Sequence, residues 1–141
     1  MLKRSIRTEI LIQSNSSLAN ELAEEIITNY PHKEINAPHY GLTMLKLRES
    51  AQNSLFHIGE VLVTECKVEI AGHIGVGIVV GMENDLAKHL AIIDAAYGAN
   101  LPETIHWAQK LQHAEQKIKE EKAKKQAELL QTKVNFETME E

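Results

Sequence analysis

The chain has 141 residues, with 15 Lys+Arg against 20 Asp+Glu, a formal net charge of −5 and 43% hydrophobic residues. That length suits one domain with a sizeable core, and the composition excludes a chain disordered throughout. The acidic balance argues against general nucleic-acid binding, two Phe, one Trp and three Tyr are too few for a base-stacking platform, and one Cys makes no internal disulfide, four-cysteine zinc site or iron–sulfur cluster.

Arg7, Thr8 and Glu9 interrupt the N-terminus, so it lacks the apolar stretch of a signal peptide. No run approaches the ~18 apolar residues of a membrane span. The expectation is a soluble, cytoplasmic protein with no membrane or nucleic-acid partner. Leu2, Ile6 and Ile10 recur at fourfold spacing and predict a short amphipathic helix. Ser14-Asn15-Ser16-Ser17 breaks it. A second helix follows, with Leu18, Leu22 and Ile26 on one stripe, Ala19, Ala23 and Ile27 beside it, and Pro31 ending it. Residues 1–30 thus form a helical hairpin.

From Lys33 to Gly81 the pattern is that of strands. Gly41 to Glu49 is one candidate and Ser54 to Ile58 a shorter one before Gly59, joined by a loop over Ser50–Asn53. Thr64–Ile70 alternates, with Cys66, Val68 and Ile70 on one face. Ile74, Val76, Ile78 and Val80 alternate against Gly75 and Gly77. Ala71-Gly72-His73 between them is a turn, so the two runs form a hairpin. The sheet is covered on one face and exposed or partner-covered on the other.

Asn84 or Asp85 caps a third helix with Leu86, Leu90 and Ile93 on one stripe, Ala87, Ala91 and Ala95 adjacent, and Gly98 as its stop. Pro102 opens a fourth helix whose stripe is Trp107, Leu111, Ala114 and Ile118. The stripe fades into Glu-to-Lys pairs at i, i+4. The fold class is α+β: a helical hairpin (1–30), a small, mainly antiparallel sheet (33–81) and two helices (84–131), the last one long. Residues 1–131 are one domain, and 132–141 are an extended partner-docking tail in which Val134 and Phe136 alternate with polar residues.

The glycines from Gly72 to Gly81 miss the dinucleotide fingerprint, since Val80 stands where its third glycine is needed. Met82-Glu83 stand where a phosphate loop needs Lys and Ser or Thr. They read as turn and strand positions where backbone comes close. The seven histidines read as surface residues with no metal spacing, and Cys66 as an inert buried thiol. Asp94 shares the alanine stripe of its helix, and a carboxylate there needs a backbone donor or a cation at a packed interface. Arg48 and Glu60 read as a surface or interface pair across neighbouring strands. No residue is assigned as catalytic. The residue types alone leave two further readings open: a stand-alone small-molecule binding module built on the glycine-rich hairpin and Asp94, and a structural adaptor.

The run Gly41-Leu42-Thr43-Met44-Leu45-Lys46-Leu47-Arg48, then Phe56-His57-Ile58-Gly59-Glu60-Val61-Leu62-Val63-Thr64, resembles the G subunit of the bacterial carbon–phosphorus lyase system. The resemblance continues through Val68, Gly75, Gly81, Ala87, Ala91, Asp94 and Ala95. It closes on Thr132-Lys133-Val134-Asn135-Phe136-Glu137-Thr138-Met139. Two departures lie in the tail: Glu137 replaces a second phenylalanine, and Glu140-Glu141 stand where the family usually has a basic residue and a glycine. The resemblance implies a hetero-oligomer with the larger H, I and J subunits. In it, G, H and I transfer an alkylphosphonate onto the anomeric carbon of ATP ribose and release adenine. It implies no cofactor in this chain: ATP is the substrate, and the iron–sulfur cluster and S-adenosylmethionine belong to J. It also implies partner contacts at Lys133, Val134, Phe136 and Met139, and an organising role for this chain.

Overall fold

The computed structural model describes residues 4–14, 17–48 and 55–139, with side chains over 4–14, 17–44 and 59–131. Its elements are α1 (Arg4–Gln13), α2 (Ser17–Asn29), β1 (His32–Arg48), β2 (Leu55–Ile70), β3 (His73–Val80), α3 (Asn84–Gly98) and α4 (Glu103–Met139). The strands form one antiparallel sheet in the order β1-β2-β3. The class is α+β, with the helices on one face of the sheet.

α2 buries Ala19, Leu22, Ala23 and Ile26, as its periodicity predicts. α1 departs from its expected stripe. It buries Arg7, Ile10 and Leu11, and leaves Ile6 39% exposed. The cause is Arg7, whose guanidinium has partners in the core described below.

Ala71 (φ 52°) and Gly72 (φ 80°) close the β2–β3 hairpin. Two successive positive φ angles match the right-handed twist of the flanking strands. β1 starts earlier and β2 runs longer than the composition predicts, because Pro38 and Gly59 do not interrupt them. Register shifts between Glu34 and Asn36 and between Asn36 and His39 absorb the stretch around Pro38 on an edge strand, and a third, between Leu45 and Lys46, falls beside Gly59, which pairs with Leu45. The Ser50–Asn53 loop lies outside the described residues.

On β2, Cys66, Val68 and Ile70 are fully buried beneath the helices. β3 turns the other way from the usual pattern. Gly75, Gly77 and Val79 face the helices, while Ile74 (58% exposed), Ile78 (51%) and Val80 (69%) face outward. The glycines let α3 lie directly on the strand. A Cβ on Gly75 would overlap the Ala91 carbonyl and the Ala95 amide, and one on Gly77 would overlap the Ala87 carbonyl. The alanines of α3 supply the matching shallow surface.

α3 ends in a reciprocal pair of bonds, Asn100 N–H to Tyr97 O (3.1 Å) and Leu101 N–H to Ala96 O (3.2 Å). The left-handed residue is Asn100 (φ 54°), not Gly98. Leu101, 7% exposed, supplies the apolar contact of this cap. Trp107 and Leu111 of α4 are buried, Ala114 and Ile118 are partly buried against the core, and residues 119–131 are exposed. Of the predicted charge pairs on this helix, Glu115–Lys119 closes at 3.2 Å. The backbone stays helical to Met139, so the extended conformation expected for 132–139 is not adopted. Extending an established helix fixes one residue per hydrogen bond, and that outweighs the alternation of Val134 and Phe136.

Candidate functional site

Asp94 lies where the alanine stripe of α3 crosses the free edge of β3. Odd-numbered β3 residues bond to β2, so the Val76 N–H points away from the sheet, and Asp94 Oδ2 accepts it at 2.9 Å. The same oxygen takes Arg4 Nη2 at 2.6 Å, and Oδ1 takes Arg7 Nη2 at 3.2 Å. Side-chain exposures of 14% for Asp94 and 9% for Arg7 make that pair the buried one, while Arg4 is 64% exposed. A charge over an edge N–H also blunts the strand against unwanted pairing.

The Arg7 guanidinium lies 3.8 Å from the centroid of the Tyr97 ring. Tyr97 meets Trp107 edge to face at 5.6 Å, and Trp107 Nε1 donates to Glu25 at 3.0 Å. One chain of contacts thus ties α1 to α3, α3 to α4 and α4 to α2. Burial pulls Arg7 below its ordinary pKa, against the raising effects of Tyr97 and Asp94, and burial pushes the Tyr97 phenol up. Tyr97 therefore stays neutral at physiological pH. Every member of the cluster has a structural partner, so the arrangement holds the helices together.

Arg48 and Glu60 are not neighbours across the strands. Glu60 pairs with Met44 and Arg48 with Leu55. The two positions lie four residues apart along β1, about 13 Å at strand rise. The Arg48 side chain lies outside the described residues, as do those of Lys133, Val134, Phe136 and Met139, whose backbone belongs to α4. Cys66 is buried, and burial first, then Glu34, pushes its thiol up against the opposing effect of Lys88. A thiol in that setting is a poor nucleophile. Among the described residues no group of three or more His, Cys, Asp or Glu is placed to hold a metal. An open cleft of about 540 Å³ between α2 and α4 is floored by Leu18, Ala114 and Ile118; Lys110 at its rim already pairs with Glu21 at 2.9 Å.

One histidine departs from the surface reading. His89 is half-buried on α3, and its Nδ1 is buried without a partner among the described residues. Burial lowers its pKa from 6.5, opposed by Asp85 and Glu24 and assisted by Lys88. The unfolded chain then binds the proton more readily. This contribution to stability is fully present above the unfolded value and is lost as pH falls through the folded one. His89→Gln is therefore expected to flatten the decline in stability between pH 7 and about 5, measured by urea unfolding. A decline as steep as that of the unaltered chain would contradict it.

Sequence reasoning identified Asp94 but not its cations, nor the Tyr97–Trp107 link. The available signal was Arg7, a basic residue one turn before Ile10 and so beside the predicted apolar stripe of α1. The fold and site define an α+β domain whose helices are tied together through Asp94, Arg7, Tyr97, Trp107 and Glu25 and whose sheet leaves apolar rows open. Residues 2–140 match the family described as phosphonate metabolism protein PhnG, and the chain belongs to it. Its role lies in phosphonate metabolism, as part of the C–P lyase complex. No curated protein gives a significant match to the sequence. Among the described residues no helix is long and apolar enough to cross a membrane.

Proposed function

We propose that this chain is a non-catalytic organiser of the cytoplasmic ribosyl-transfer step. It acts with the H and I subunits to move an alkylphosphonate onto the anomeric carbon of ATP ribose. In that step a phosphonate oxygen forms the bond to C1′ as the bond from C1′ to adenine breaks, and adenine leaves with a proton. The product is ribose 1-phosphonate 5-triphosphate; the J subunit, which carries the iron–sulfur cluster and uses S-adenosylmethionine, later breaks the C–P bond. Family membership supports the setting. The observation that carries the organising role is the outward row Ile74, Ile78 and Val80, since apolar side chains more than half exposed along one strand suit a surface covered in an assembly.

Co-expression with H, I and J tests the reading. The expected result is one stoichiometric complex that survives size-exclusion chromatography. Elution of this chain alone, as a well-behaved monomer in the presence of the other three, would overturn it.

A further inference from the structure

We infer that the part of the β1–β2 hairpin just beyond the end of β3, residues 40–44 with 59–62, is a docking arm for another subunit of the same assembly, and that its occupant is a segment with an apolar centre flanked by Lys or Arg. The inference rests on the assembly reading above. β3 ends at Val80, opposite Val63. β1 and β2 pair onward from Gly41–Val63 to Arg48–Leu55 with no third strand beside them among the described residues.

The arm carries an apolar row on the face that is core further down. Cys66, Val68 and Ile70 are buried on that face; on the arm the same face carries Tyr40 (44% exposed), Leu42 (67%), Met44 (52%) and Leu62 (39%). Leu42 lies directly opposite Leu62, and Met44 opposite Glu60. At the base of the arm the chain turns into α3. Gly81 N–H donates to Leu62 O at 2.8 Å and Glu83 N–H to Thr64 Oγ1 at 3.0 Å, which places Met82, 66% exposed, and Glu83 in the crook.

Glu60 and Glu83 are both exposed, and neither has an ion-pair partner among the described residues. An apolar row edged by two carboxylates that have no ion-pair partner among the described residues selects a partner with apolar anchors and basic flanks. A second copy of this chain would bring the same two carboxylates, so self-pairing carries a like-charge cost that a basic-flanked segment avoids.

The test uses the co-purified complex and the full chain. Leu42→Ser with Met44→Ser is expected to weaken binding to the other subunits by about tenfold or more, with the melting temperature of the free chain unchanged. Glu60→Lys with Glu83→Lys is expected to weaken it similarly, and Glu60→Gln with Glu83→Gln to flatten its dependence on salt. Ile105→Ser on α4, 75% exposed and away from the arm, is the control and is expected to have no effect.

If the unaltered chain joins the complex and the arm variants join equally well, the inference fails and the assembly reading stands. If the serine pair weakens binding but the charge changes do nothing, the basic-flanked occupant is wrong. A serine variant that melts early would show that the row packs within its own domain, and the arm is then not a docking surface. If the unaltered chain never joins, the assembly reading fails and the inference with it.

Discussion

Gly77→Ala is expected to destabilise the domain by about 3 kcal/mol or more, among the largest effects of any single methyl group in this chain. The added Cβ would lie 2.7 Å from the Ala91 amide nitrogen and 3.0 Å from the Ala87 carbonyl carbon, besides overlapping the Ala87 oxygen. All of these are backbone atoms, so no side-chain rotation relieves the clash and α3 has to move as a body. α3 is held on its other sides: Leu86, Leu90, Ile92, Ile93 and Ala96 are all buried. Against a typical total stability of about 5–15 kcal/mol, such a loss is large. Gly41→Ala is the control, since nothing lies within 4 Å of a Cβ there. Urea unfolding followed by circular dichroism reads both. Gly77→Ala within about 0.5 kcal/mol of the unaltered chain would mean that α3 does not rest on β3 in this way.

The second large effect is at Asp94. Asp94→Ala leaves the Arg7 guanidinium, 9% exposed, without its carboxylate and the Val76 N–H without its acceptor. Removing one member of a buried ion pair costs about 3–5 kcal/mol, and the partial exposure of Asp94 points to the lower end of that range. Arg4→Ala is expected to cost under about 1 kcal/mol, because Arg4 is 64% exposed and water screens its charge. Asp94→Asn keeps an acceptor for Val76 and falls between the two. Unfolding measures the series, and pull-down of the other subunits followed by adenine release separates structure from chemistry. An intact, stable complex of the Asp94→Ala chain that no longer releases adenine would make Asp94 a participant in the reaction.

These two sites also show how far the sequence could be read. A carboxylate among Ala87, Ala91 and Ala95 has to be met by a donor or a cation, and that much follows from spacing. Which cations meet it does not, because Arg4 and Arg7 lie 90 and 87 residues away along the chain. The run Ile74-Gly75-Val76-Gly77-Ile78 reads as a strand with close backbone approach at its glycines. Its direction is hidden, since burying glycines and exposing isoleucines inverts the ordinary hydrophobic pattern. The decisive partner is the alanine stripe of α3, and only the packed pair fixes the face. The β2–β3 turn was legible because Ala71-Gly72 joins two alternating runs. The length of the β1–β2 arm was not, because Pro38 and Gly59 break strands locally while register shifts beside both carry the pairing through. At the far end, Val134 and Phe136 suggested alternation, but an uninterrupted helix from Glu103 carries its own hydrogen-bonding pattern to Met139.

The most direct measurement of the central claim is adenine release from ATP and methylphosphonate in three purified preparations: this chain alone, H with I, and all three together. An organising subunit predicts no adenine from the isolated chain, little from H with I, and robust release only when this chain is added. Turnover by the isolated chain, or full turnover by H with I in its absence, would contradict the account.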